Sequence, residues 1–116
     1  MILTALLLII IDYFYLSTFG PYFNKQVKLV QGQGITMDFT AALVCYMALV
    51  LGLRHFIIKD KRSVKDAFIL GFVIYTVFET TNKAIFKNWS WKSVMIDSIW
   101  GGLLFALTTE LTYRLS

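Results

Sequence analysis

The chain has 116 residues, enough for a single domain over 1–116 and too few for two. Hydrophobic residues make up 58% and charged residues 16%, against about 45–50% and about 25% in soluble domains, and a soluble globule this small has too much surface to hide them. The net charge of +4 is spread along the chain rather than gathered into one patch, which argues against nucleic acid as a partner.

The apolar residues fall into four blocks of roughly 20, the length of helix that crosses a hydrocarbon core of about 30 Å. This pattern predicts an all-α, four-helix transmembrane bundle with short loops, a multi-pass integral protein in contact with the lipid bilayer. The first block, about 2–21, opens with ILTALLLIII directly after Met1. It has no basic leader and no small-residue cleavage site, and Asp12 interrupts its apolar run, so it reads as a retained first span. Gly20-Pro21 predicts a kink or stop. In the polar connection that follows, Tyr22, Phe23, Val27 and Val30 suit a short helix lying at the interface, and Gly32-Gln33-Gly34 a turn.

The second span covers about 38–58. It holds Cys45, the single cysteine, which excludes a disulfide framework or a redox pair. Ala41, Cys45, Ala48 and Gly52 form a small-residue face of the kind that lets helix backbones approach. Arg54, near the end, is placed to snorkel to the headgroups. Beside it, His55 reads as a headgroup contact, because no second His or Cys stands at coordinating spacing.

KDKRSVKD (59–66) is the one charge run, a tight loop in which Lys59, Lys61, Arg62 and Lys65 suit topology control, anionic lipid or a docking partner. The third and fourth spans cover about 66–86 and 94–114, joined by KNWSWKS (87–93). There Trp89 and Trp91, flanked by Lys87 and Lys92, predict an interfacial belt. Four spans place both termini on the side of the 59–66 loop. The small excess of Lys and Arg on that side favours the cytoplasm or its equivalent.

Three acids fall inside this apolar frame. From Ala67 to Phe78 the third block is free of charge for only about 18 Å of helix, short of the core thickness, so Glu79 and Asn82 are drawn into the hydrocarbon. Asp12 lies near mid-depth of the first span, and Asp97 just inside the edge of the fourth. Gly71, Tyr75, Glu79 and Asn82 recur on one helical stripe; Ser93, Asp97, Gly101 and Thr108 recur on another. Asp12, Tyr75, Glu79, Asn82, Lys83 and Asp97 therefore predict a buried polar network in the half of the bundle away from the termini.

Membrane-buried acids often mark proton or ion pathways. The alternative is structural: Glu79 paired with Lys83 one turn on, and Asp97 hydrogen-bonded to Ser93, Asn82 or a tyrosine hydroxyl, each partner lowering the cost of burial. Glu110 and Arg114 suit an interfacial ion pair. There is no phosphate-binding loop, nucleophile elbow or metalloprotease helix, so neither an enzyme, a cofactor nor a metal is expected.

Three segments, IDYFYLSTFGPYF (11–23), YTVFETTNKAIF (75–86) and VMIDSIWGG (94–102), make the chain resemble an uncharacterised family of small four-span membrane proteins of bacteria and large DNA viruses. The family pattern is an Asp in the first span, a Tyr-x-x-Tyr-Asp-x-Thr-Asn-like motif in the third and Asp-x-x-Trp-Gly in the fourth. It falls here on Asp12, on Tyr75, Phe78, Glu79, Thr81 and Asn82, and on Asp97, Trp100 and Gly101. Phe78 stands in place of the second Tyr, and Glu79 in place of Asp. The resemblance implies that the buried polar set is a family feature, and the Phe, Tyr, Ile and Lys bias leans toward a viral member in a virion's internal membrane. The resulting expectation is a structural or assembly component whose basic loops meet capsid or other membrane-associated proteins. The alternative is a proton- or cation-linked transporter or channel subunit, for which four short helices would need a homo-oligomer.

Overall fold

The computed structural model describes residues 2–35 and 38–116. Helix α1 covers Ile2–Gln31; α2, Phe39–Leu53, continues as a π-helical turn, Arg54–Ile58; α3 covers Val64–Ile85 and α4 Trp91–Leu115. Among the described residues there is no strand. Side-chain caps set the starts of the last three helices. Asp38, Ser63 and Ser90 each accept the backbone N–H three residues on, at 3.1 Å in every case, satisfying a donor that the first turn leaves free. Two of these caps start α3 and α4 two or three residues ahead of the apolar blocks that predicted them.

Pro21 neither stops α1 nor separates an interfacial helix from it: the helix runs through to Gln31. The proline lacks an N–H, but contacts beyond it hold the last ten residues in line. Tyr22 exchanges hydrogen bonds with Ser90 and Ser93 at 3.0 and 2.9 Å. Asn88 donates to the Leu29 carbonyl at 2.8 Å. Tertiary bonds to the α3–α4 connection thus outweigh the local break. At 30 residues α1 is about 45 Å long, matching the long axis of the molecule, 45 Å.

Helices α3 and α4 pack antiparallel along most of their length, and glycines make this possible. A Cβ at Gly71 would run into the carbonyl oxygen of Gly101, and one at Gly101 into the ring of Tyr75. Helix α1 lies along α4, with Thr4 and Thr112 in hydroxyl contact at 3.3 Å. Helix α2 rests on α1. Leu8, Leu49, Val50, Leu53, Ile57, Ala67, Leu104 and Phe105 form the apolar core, in the half that holds the chain ends. The 59–66 loop turns tightly, with Lys61 at φ 52°, and Tyr113 donates to the Arg62 carbonyl at 2.7 Å.

By length and composition α1, α4 and the run Phe39–Ile58 can each cross a membrane. Helix α3 is long enough but carries Lys65, Asp66, Glu79 and Lys83 and falls outside that set.

Candidate functional site

The polar half of the bundle is built around the three acids. Along their helices, Asp12 stands about 15 Å from the start of α1, Glu79 about 9 Å before the end of α3, and Asp97 about 9 Å into α4. Asp12 is 7% exposed and Glu79 1%, so each needs partners. Asp12 has two: Oδ1 accepts from the Trp100 indole at 2.9 Å, and Oδ2 from the Tyr46 hydroxyl. Asp97 Oδ1 accepts from the Tyr15 hydroxyl at 2.9 Å. Glu79 Oε1 accepts from the Trp89 indole at 2.9 Å.

The Glu79 and Asp97 carboxyl groups are neighbours across the α3–α4 seam. The Tyr15 ring stacks on Trp100 at 4.6 Å and 7°. One connected set therefore runs from Tyr46 through Asp12, Trp100, Tyr15, Asp97 and Glu79 to Trp89, touching all four helices and the α3–α4 connection. Chemically it is a row of aromatic donors clamped onto acceptors; the clamps at Asp12 and Asp97 join helices distant in sequence, and that at Glu79 ties α3 to the connection that follows it.

A second cluster lies nearer the α3–α4 connection. Buried Gln26 accepts from the Ser90 amide at 2.9 Å and from the Ser93 hydroxyl at 2.7 Å. This cluster fixes the end of α1 beyond Pro21.

Of the residues singled out in the sequence, Asp12, Glu79 and Asp97 are brought together, and Tyr75 packs over Gly101 beside them. Asn82 is half-buried, and its backbone carbonyl caps α3 by accepting from Phe86 N at 2.8 Å. Lys83 lies outside the network and makes no ion pair with Glu79 among the described residues. Its ammonium sits 5.7 Å over the Trp91 ring, while the indole of Trp89 takes the Glu79 oxygen.

Trp89 is a second correction. It is 7% exposed and belongs to the interior, leaving Trp91, 63% exposed, as the outward tryptophan. Lys92 covers the Tyr22 ring at 5.3 Å. Arg54, Lys59, Lys61, Arg62, Lys65 and Lys87 are exposed, with Arg62 held by Asp66 at 3.1 Å. Arg114 and Glu110 are paired at 2.6 Å. The small-residue face of α2 does not meet a helix: Ala41, Cys45 and Ala48 are exposed. Tyr46, reaching Asp12, and buried Leu49, Val50 and Leu53 set the rotation of α2 instead.

The donors Tyr15, Tyr46 and Trp89 were not legible as such. The one sequence signal was spacing: Tyr15 follows Asp12 by three residues and Trp100 follows Asp97 by three. Each aromatic, however, serves the acid on the opposite helix. Among the described residues no three His, Cys, Asp or Glu side chains are grouped to hold a metal.

Apolar helices long enough to span, with acids turned inward and hydrogen-bonded to aromatic donors, define a multi-pass α-helical membrane protein. Within that class the chain belongs to the family described as Predicted membrane protein (DUF2177), whose family model matches residues 1–114. No curated protein and no solved structure matches it.

Proposed function

We propose that this protein is a structural and assembly component of its membrane, a rigid anchor in which α3 is the fourth span and cationic ends are offered to acidic partners. The cross-linking of the acids to aromatic donors carries this reading. Asp12, Asp97 and Glu79 each accept from an aromatic donor on another element, so the polar groups are spent on cross-links that hold one arrangement of helices. Lys59, Lys61 and Lys65 make no ion pair among the described residues, which suits them to an anionic surface. The partner class is a protein layer lying against the membrane. A capsid layer over the internal membrane of a virion is the case that the resemblance implies.

The nearness of Asp12, Glu79 and Asp97 in one half of the bundle favours a second reading, proton- or cation-linked transport, because acids gathered inside a membrane mark such pathways. Four helices enclose little volume, so that reading requires a homo-oligomer.

Proton and cation flux into liposomes carrying the folded protein separates the two, with wild type beside Glu79→Gln. Flux no higher than in empty vesicles across a pH series, with both proteins equally stable, is the expected result. Flux in wild type that vanishes in the variant would replace the anchor with the transporter.

A further inference from the structure

Between α2 and α3 a cavity of about 220 Å³ is lined by Cys45, Leu49, Ile74, Tyr75, Phe78 and Asp97. Its three rim and floor positions lie at one depth: Cys45 is about 9 Å into α2, Phe78 about 10 Å before the end of α3, and Asp97 about 9 Å into α4. Cys45 and Phe78 are exposed and Leu49 is buried, so the cavity opens sideways between α2 and α3 and narrows inward. The opposite wall is closed, because the glycine seam brings α3 and α4 together.

We infer that this cavity is a binding site for a small lipophilic amine, with its ammonium at Asp97 and its apolar body between Leu49, Ile74 and Phe78. Charge complementarity selects the occupant. Among the described residues no basic side chain pairs with Asp12, Glu79 or Asp97, and the one amine nearby in sequence, Lys83, is turned to Trp91. Asp97 uses one oxygen toward Tyr15, and with Glu79 beside it the pair keeps further acceptor sites. A mainly apolar wall with one carboxyl group in it fits a ligand with one charged end and one ring. The lateral mouth sets the route, since a molecule dissolved in the bilayer reaches the site without crossing water. The cavity and the acid in its lining support this inference, and the anchor reading neither requires nor excludes it.

The thiol of Cys45, on the rim and the only one in the chain, supplies the readout. Labelling by a membrane-permeant maleimide is timed with benzylamine, with benzyl alcohol as the uncharged isostere, and with neither. Amine at ten times its half-saturating concentration is expected to slow labelling about tenfold, as occupancy requires, whereas the alcohol leaves the rate unchanged. Asp97→Asn, which keeps an oxygen for Tyr15, should abolish protection, and so should Ile74→Phe, which fills the cavity and leaves the acid in place. Equal protection by the alcohol, protection that survives in Asp97→Asn, or no slowing in the wild type would each overturn the inference.

Discussion

The half of the bundle that holds the chain ends and the half that holds the α3–α4 connection are joined by the same helices but held by different forces. In the first, Leu8, Leu53, Leu104 and Phe105 are fully buried among other apolar residues. In the second, acids and aromatic donors meet in pairs. In water the apolar half would dominate, since burial removes hydrocarbon from solvent. In lipid that term is largely absent, because a Leu is as well placed against an acyl chain as against another Leu. What remains is contact: close backbone approach at Gly71 and Gly101, and hydrogen bonds with no water to replace them.

The largest effect expected is at the glycine seam. Gly71→Leu forces α3 away from α4, because backbone stands where the new side chain must go; a loss of about 3 kcal/mol or more follows from overpacking, read as the unfolding midpoint in mixed micelles. Asp12→Ala comes next, since it strands both the Trp100 indole and the Tyr46 hydroxyl, at about 2 kcal/mol in total. The Trp100 emission should change with it.

The sharpest test of the comparison is Leu53→Ala. A fully buried Leu in a soluble core costs about 3 kcal/mol to truncate, whereas here only packing contact is lost and about 1–2 kcal/mol is expected. A full soluble-type loss would break the comparison. Trp89→Phe keeps the ring but removes the donor to Glu79, for about 1 kcal/mol, with the α3–α4 connection becoming more accessible to proteases. Glu110→Ala, in an exposed pair, should shift the midpoint by less than about 0.5 kcal/mol.

The number of helices, and the inward stripes of α3 and α4, were legible because apolar block length and helical period determine them directly. The convergence of Asp12, Glu79 and Asp97 followed from depth alone. Rotation of α2 was not legible. A stripe of Ala, Cys and Gly signals close approach only if a helix faces it, and Tyr46 turns the opposite side toward α1. Trp89 and Lys83 exchanged places for one reason: both follow Glu79 closely in sequence, and spacing does not show that the indole, not the ammonium, reaches it. Pro21 was read as a break because its missing N–H is local, whereas the bonds of Tyr22, Gln26 and Asn88 that carry the helix through it are not.

The length of α1 has a consequence for where the protein can reside. A helix free at both ends adjusts to a thinner bilayer by tilting, but α1 is tied at its far end through Gln26 and Tyr22 to the start of α4. Tilting it would drag the α3–α4 connection along. The bilayer must then do the adjusting, stretching or thinning around a fixed apolar height, at a cost of a fraction of a kcal/mol for each ångström or so of mismatch. Such a molecule gathers where membrane thickness already suits it, so its location is selected by bilayer thickness as well as by any contact.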